Sequence, residues 1–203
     1  MDRQFFLKLR SKQLYPILRN EGFVGAGSTL RRVVGPLIHV FNVQGSRHGG
    51  ECFLNLGTHL EFLPPEGGQQ VSSELLEESH CVFRKRIDPP AGTAFGWAYG
   101  ASAEAAEQTI EFIVSEWPLQ GHAFFKKYAS YPGSFVELLV GTEPTAIHAR
   151  TNLHFARIAA HLDRPEEALR FAQAGLASAG ERATSLRYDL SVILKSIESN
   201  HGE

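Results

Sequence analysis

The chain has 203 residues, 43% of them hydrophobic and 21% charged, an ordinary globular composition with room for one sizeable core and a helical appendage. Its formal net charge of -2 excludes the basic excess of a general nucleic-acid binder. Two cysteines, Cys52 and Cys81, are too few for a disulfide framework, and no apolar run approaches the ~20 residues that span a bilayer.

Residues Asp2 to Glu21 predict an amphipathic helix. Phe5, Phe6, Leu9, Leu14, Ile17 and Leu18 form its stripe, Gly22 ends it, and Pro16 should kink or restart it. Charges at Asp2, Arg3 and Lys8 interrupt any signal-peptide core, so a cytoplasmic protein with reduced thiols is expected. Phe23 to Val34 predicts a short hairpin turning at Gly25 to Ser28. A second, stronger hairpin runs from Leu37 to Phe62. Its first strand is rich in β-branched and aromatic residues, and its second alternates Cys52, Leu54, Leu56 and Leu60 against Asn55, His59 and Glu61. Pro64 to Gln70 is a loop, His80 to Ile87 a further strand, and Ala94 to Tyr99 an edge segment.

From Ser102 the pattern is helical. Ser102 caps a helix with Ala106, Ile110, Ile113 and Trp117 inward, and Pro118 suits the first turn of another carrying Phe124, Phe125 and Tyr128. Phe135 to Val140 is a short segment, and Thr142 with Pro144 opens a helix through Leu153 and Ala160. Asp163 to Glu166 reads as a capping box, Asp163 capping and Glu166 reaching back. A last helix holds Leu186 to Ile197. The fold class is therefore α+β: an N-terminal helix and an antiparallel sheet of about four to six strands covered by helices. Residues 1–141 form that domain, and 142–203 a C-terminal helical extension packing on it.

Several motifs carry a resemblance. Gly22-Phe23 follows the first helix; the central strands read Asn42-x-Gln44-x-Ser46 and Phe53-x-Asn55-Leu56-Gly57; His80-Cys81-x-x-Arg84 precedes the helix from Ser102 to Trp117. From Phe6 to about Tyr128 the chain resembles a bacterial family called domain of unknown function 4304. The resemblance implies a helix followed by an antiparallel sheet and supplies no established reaction. Similar small bacterial domains occur as immunity proteins beside secreted toxins. Leu153 to Ala179 also resembles one tetratricopeptide-like unit. Such repeats occur in tandem and there is no second copy, so a plain helical hairpin is the reading we favour.

The candidate ligand- or partner-binding residues are Asn42, Gln44, Ser46, Arg47, Asn55 and His59. Alternation puts Asn42 and Gln44 on one strand face, with Asn55 near them if register allows. Amides beside a glycine turn more often tie the turn together than bind a ligand. Cys81 is a weak nucleophile candidate. Its neighbour His80 should point to the opposite strand face, which leaves His39 or His59 as a base and favours a buried inert thiol. His148, His154 and His161 are six and seven apart, against the three or four that place two ligands on one helix face. No metal or other cofactor is implied. Gly25-Ala26-Gly27-Ser28 opens no helix and lacks the lysine of a phosphate loop. Arg84-Lys85-Arg86, Arg31-Arg32 and an acidic helix face of Glu104, Glu107, Glu111 and Glu116 read as solvated surfaces, though the acidic face also suits a basic partner.

Three functions fit. The first is a non-enzymatic protein-binding module, with an immunity-type inhibitor of a toxin as its specific form, a protein partner and no role at a membrane. The second is a small enzyme using the hairpin amides with His59 or His39 as acid and base. The third is a peptide-binding adaptor built on the C-terminal helices.

Overall fold

A computed structural model describes residues 3–68, 71–90 and 95–200. The chain forms two compact units, Met1–Ala129 and Ser130–Glu203. The helix over Gly133–Gly141 belongs to the second unit.

The first unit is α+β. Helix α1 (Arg3–Asn20) is one element that includes Pro16 and buries Phe6, Leu9, Leu14 and Leu18. It ends where Gly22 takes φ +87°. The Gly22 amide then donates to the Arg19 carbonyl at 3.0 Å and the Phe23 amide to the Leu18 carbonyl at 3.0 Å, with both Phe23 and Leu18 buried. That paired closure needs a left-handed residue, which glycine supplies without strain, and a hydrophobic residue after it.

Six strands follow among the described residues: β1 (Val24–Ala26), β2 (Thr29–Val34), β3 (Leu37–Gly45), β4 (Glu51–Leu60), β5 (Phe83–Ile87) and β6 (Trp97–Ala98). They pair antiparallel in the order β1-β2-β3-β4-β5, and β6 pairs with the start of β4. Pairing of Asn42 with Asn55 fixes the register of the central hairpin. One sheet face therefore carries Leu30, Phe41, Leu54 and Leu56, all buried. Trp117 packs edge-on against Phe41 at 5.6 Å and Phe23 at 6.3 Å, and Phe125 lies 5.3 Å from Phe23. The opposite face carries a smaller apolar cluster of Ile38, Val40, Leu76 and Cys81.

Two local expectations change. His80 and Cys81 are not strand residues. Glu78–His80 form a 3₁₀ turn and the strand begins at Phe83. The His80 ring accepts the Glu77 amide at 3.1 Å, which closes the turn. Pro118 does not begin a new helix either. Helix α2 (Ala103–Glu116) continues through a π-helical turn, Trp117–His122, into α3 (Ala123–Lys127). The wide turn tolerates the missing proline N–H. It also sets Gly121 against the Trp117 ring, where a Cβ would come within 2.5 Å.

The second unit is helical: α4 (Gly133–Gly141), α5 (Ala149–His161), α6 (Pro165–Ser178) and α7 (Thr184–Asn200). The segment after Phe135 is thus helix α4. Leu153, Phe155, Ile158, Phe171 and Leu190 are its buried core. Gly175 lets α6 approach α7: a Cβ there would sit 2.9 Å from Leu190. The start of α6 is capped differently from the sequence pattern. Asp163 adopts φ +55° at the end of α5, Arg164 takes the cap position, and Glu167, not Glu166, receives the Arg164 Nε at 2.8 Å. A left-handed Asp163 is one residue too early to cap. Among the described residues no helix is long and apolar enough to cross a membrane.

Candidate functional site

Register decides which polar residues meet. Asn42 faces Asn55, Gln44 faces Phe53, and across β4 Asn55 faces Arg86 and Gly57 faces Arg84. All six side chains and the glycine therefore share one sheet face, beyond the end of its apolar cluster. Asn55 is the hub and is buried. Arg86 Nε donates to Asn55 Oδ1 at 3.2 Å. Asn55 Nδ2 donates to Gln44 Oε1 at 3.1 Å and to Asn42 Oδ1 at 3.4 Å, and Asn42 Nδ2 donates to Thr29 Oγ1 at 2.9 Å. The Arg86 guanidinium also lies over the Phe53 ring at 4.4 Å.

These bonds have a direction. Arginine has no acceptor, so the Asn55 oxygen must face Arg86 and its NH₂ must face the other two amides. Gln44 then accepts with its oxygen and keeps its Nε2 hydrogens for the space beside it. That space is a cleft of about 390 Å³, bounded by the end of β3 from Asn42 to Gly45, by Arg3 and by the Glu77–Ser79 turn with Arg84. β2 starts at Thr29, opposite Asn42, so among the described residues no strand covers this last stretch of β3. Glu78 is buried and already paired, receiving Arg84 Nε at 2.5 Å. That bond is the main reason the Arg84 pKa is raised above its ordinary value.

The other candidates lie elsewhere. Ser46 Oγ accepts the His48 amide at 3.3 Å, and Arg47 Nε donates to His48 Nε2 at 3.0 Å, both in the β3–β4 turn. His59 is buried opposite Ile38, at the far end of the same face. Arg84, Arg86, Glu78 and Arg3 were not among the sequence candidates. The alternation of Arg84 and Arg86 puts them on a common face, but only the β4–β5 register shows that this face holds the amides. Among the described residues no three His, Cys, Asp or Glu side chains assemble into a metal-binding group.

The family model described as Domain of unknown function (DUF4304) matches residues 14–126, more than half of the chain. The chain belongs to this family. No curated protein and no solved structure matches it.

Within this DUF4304 chain the motif residues have identifiable physical work. The glycine of Asn55-Leu56-Gly57 lies under the Glu78–Cys81 turn, where a Cβ would come within 2.6 Å of Cys81 Sγ. Gly57 is therefore what lets the turn carrying Glu78 close over the sheet. Cys81 is fully buried and burial pushes its thiol up; Cys52 is likewise pushed up to about 12. Neither offers a thiolate. His39 sits on the opposite, aromatic face from the amides. Its Nδ1 accepts from Arg32 Nη2 at 2.8 Å, so its Nε2 donates to the Tyr128 carbonyl at 2.9 Å. Burial, then the Arg32 charge, hold its pKa down at about 4.

Proposed function

We propose that this chain is a non-enzymatic protein-binding module that engages its partner at the polar end of the sheet, across Gln44, Arg84 and Arg86. The observation that carries this reading is the directed chain of hydrogen bonds from Arg86 through Asn55 to Gln44, beside an open cleft. It holds hydrogen-bonding groups in fixed orientation at an accessible surface, and such pre-organisation is what lowers the cost of binding. Neither thiol offers a nucleophile there, since both are buried, and His39 faces the other side of the sheet. An immunity-type role is the specific form we favour, on the likeness to small bacterial domains found beside toxins.

Affinity purification from the native host tests this reading. Tagged wild-type chain and a Gln44→Ala/Arg86→Ala variant are compared, with co-expression of the product of the adjacent reading frame as a second arm. A near-stoichiometric partner that the variant loses supports the proposal. A partner set identical for the two proteins overturns it, and co-expression without protection overturns the immunity form.

A further inference from the structure

We infer that the cleft beside Gln44 recognises carboxylates, and that its occupant is an acidic segment of the partner protein. This rests on the protein-binding reading above and names the chemistry of the partner. The cleft presents donors. Arg86 fixes the orientation of Asn55, Asn55 fixes that of Gln44, and the result is an NH₂ group aimed away from the network at an exposed position.

The charges agree. Two carboxylates line the cleft, and the buried one, Glu78, is already paired, receiving Arg84 Nε. Arg3 adds a second arginine to the lining, and next to the cleft Arg84, Lys85 and Arg86 are consecutive exposed residues on β5. A row of exposed cations on an edge strand repels another basic strand and attracts an acidic one. An arginine and a side-chain NH₂ converging on one opening suit the paired oxygens of a carboxylate.

The test is a titration of the whole chain with a short Glu-rich peptide, followed through the side-chain amide signals of Gln44, with a Gln-rich peptide of the same length as control. The inference expects saturable shifts at Gln44 with the acidic peptide and none with the neutral one. Gln44→Glu, at an exposed position that does not endanger folding, should weaken the acidic peptide by about tenfold or more, as loss of a charge-assisted bond does. Asn55→Asp should act in the same direction, because an acceptor-only residue turns the Gln44 amide round. Equal binding of the two peptides, no binding of the acidic one, or undiminished binding to Gln44→Glu would overturn the inference. A chain that loses its cellular partner through Gln44→Ala/Arg86→Ala yet ignores carboxylates separates this failure from failure of the protein-binding reading.

Discussion

The two faces of the central sheet are built from the same two strands and do opposite things. One face sinks Phe41, Leu54 and Leu56 under Trp117, Phe23 and Phe125. The other starts apolar at Ile38 and Val40 and ends in Asn42, Gln44 and Asn55. On the first face shape decides, because close-packed rings lose contacts whenever one is removed. On the second, direction decides, because each amide has an oxygen end and a nitrogen end and only one arrangement satisfies Arg86. The difference teaches that a buried polar residue such as Asn55 belongs to the organisation of the surface more than to the core.

The sharpest way to break this comparison is to remove the ring at the centre of the first face. Trp117 is 1% exposed, and its indole N–H donates to Glu21 Oε1 at 2.8 Å. Trp117→Ala should cost about 3–5 kcal/mol in urea denaturation, the range for a fully buried aromatic. A loss of under ~1 kcal/mol would mean the aromatic cluster does not hold the sheet.

His39 offers a second handle on the aromatic face. Its folded pKa of about 4 lies below the ordinary value of 6.5. Above the unfolded value both states hold it neutral. As pH falls from about 6.5 to 4, the unfolded chain takes up the proton and the folded chain refuses it, so stability drops across that window and levels off below it. The drop is on the order of 3 kcal/mol. His39→Gln should flatten this part of the stability profile by about one proton relative to wild type. An unchanged slope would show that His39 takes up its proton as readily in the folded chain as in the unfolded one, and the Arg32 contact would then have to be rebuilt.

Much of this architecture was legible in the chain itself. Period-two alternation in β4 and the β-branched run in β3 expose the central hairpin, and Gly22-Phe23 after an amphipathic stripe marks the end of α1. What escaped has physical reasons. His80-Cys81 lies in an apolar, strand-like stretch, and only the close approach of a turn over Gly57 distinguishes it. Pro118 looks like a helix start because a π-helical turn has no sequence signature of its own. For the site, alternation placed Asn42 and Gln44 together. It could not bring in Arg86, because the pairing of β4 with β5 spans a loop of more than 20 residues, from Leu60 to Phe83, that sets register through tertiary contacts.

The smallest expected effect separates hub from surface on the polar face. Asn55 is 4% exposed and takes part in three hydrogen bonds, one accepted and two donated. Truncation to alanine strands the Gln44 and Asn42 oxygens and one Arg86 donor, and should cost about 1–3 kcal/mol. Gln44 is exposed and contributes one acceptor to the same network, so Gln44→Ala should stay within ~0.5 kcal/mol of wild type. The Asn55→Ala/Gln44→Ala double variant should cost less than the sum of the two, since the Asn55 truncation has already removed the bond that Gln44 accepts. Measured by the same denaturation series, strict additivity would mean that the Asn55–Gln44 bond is not formed in solution. Gln44 would then be free to present either end to the cleft, and the polar face would lose the fixed direction that sets it apart from the aromatic one.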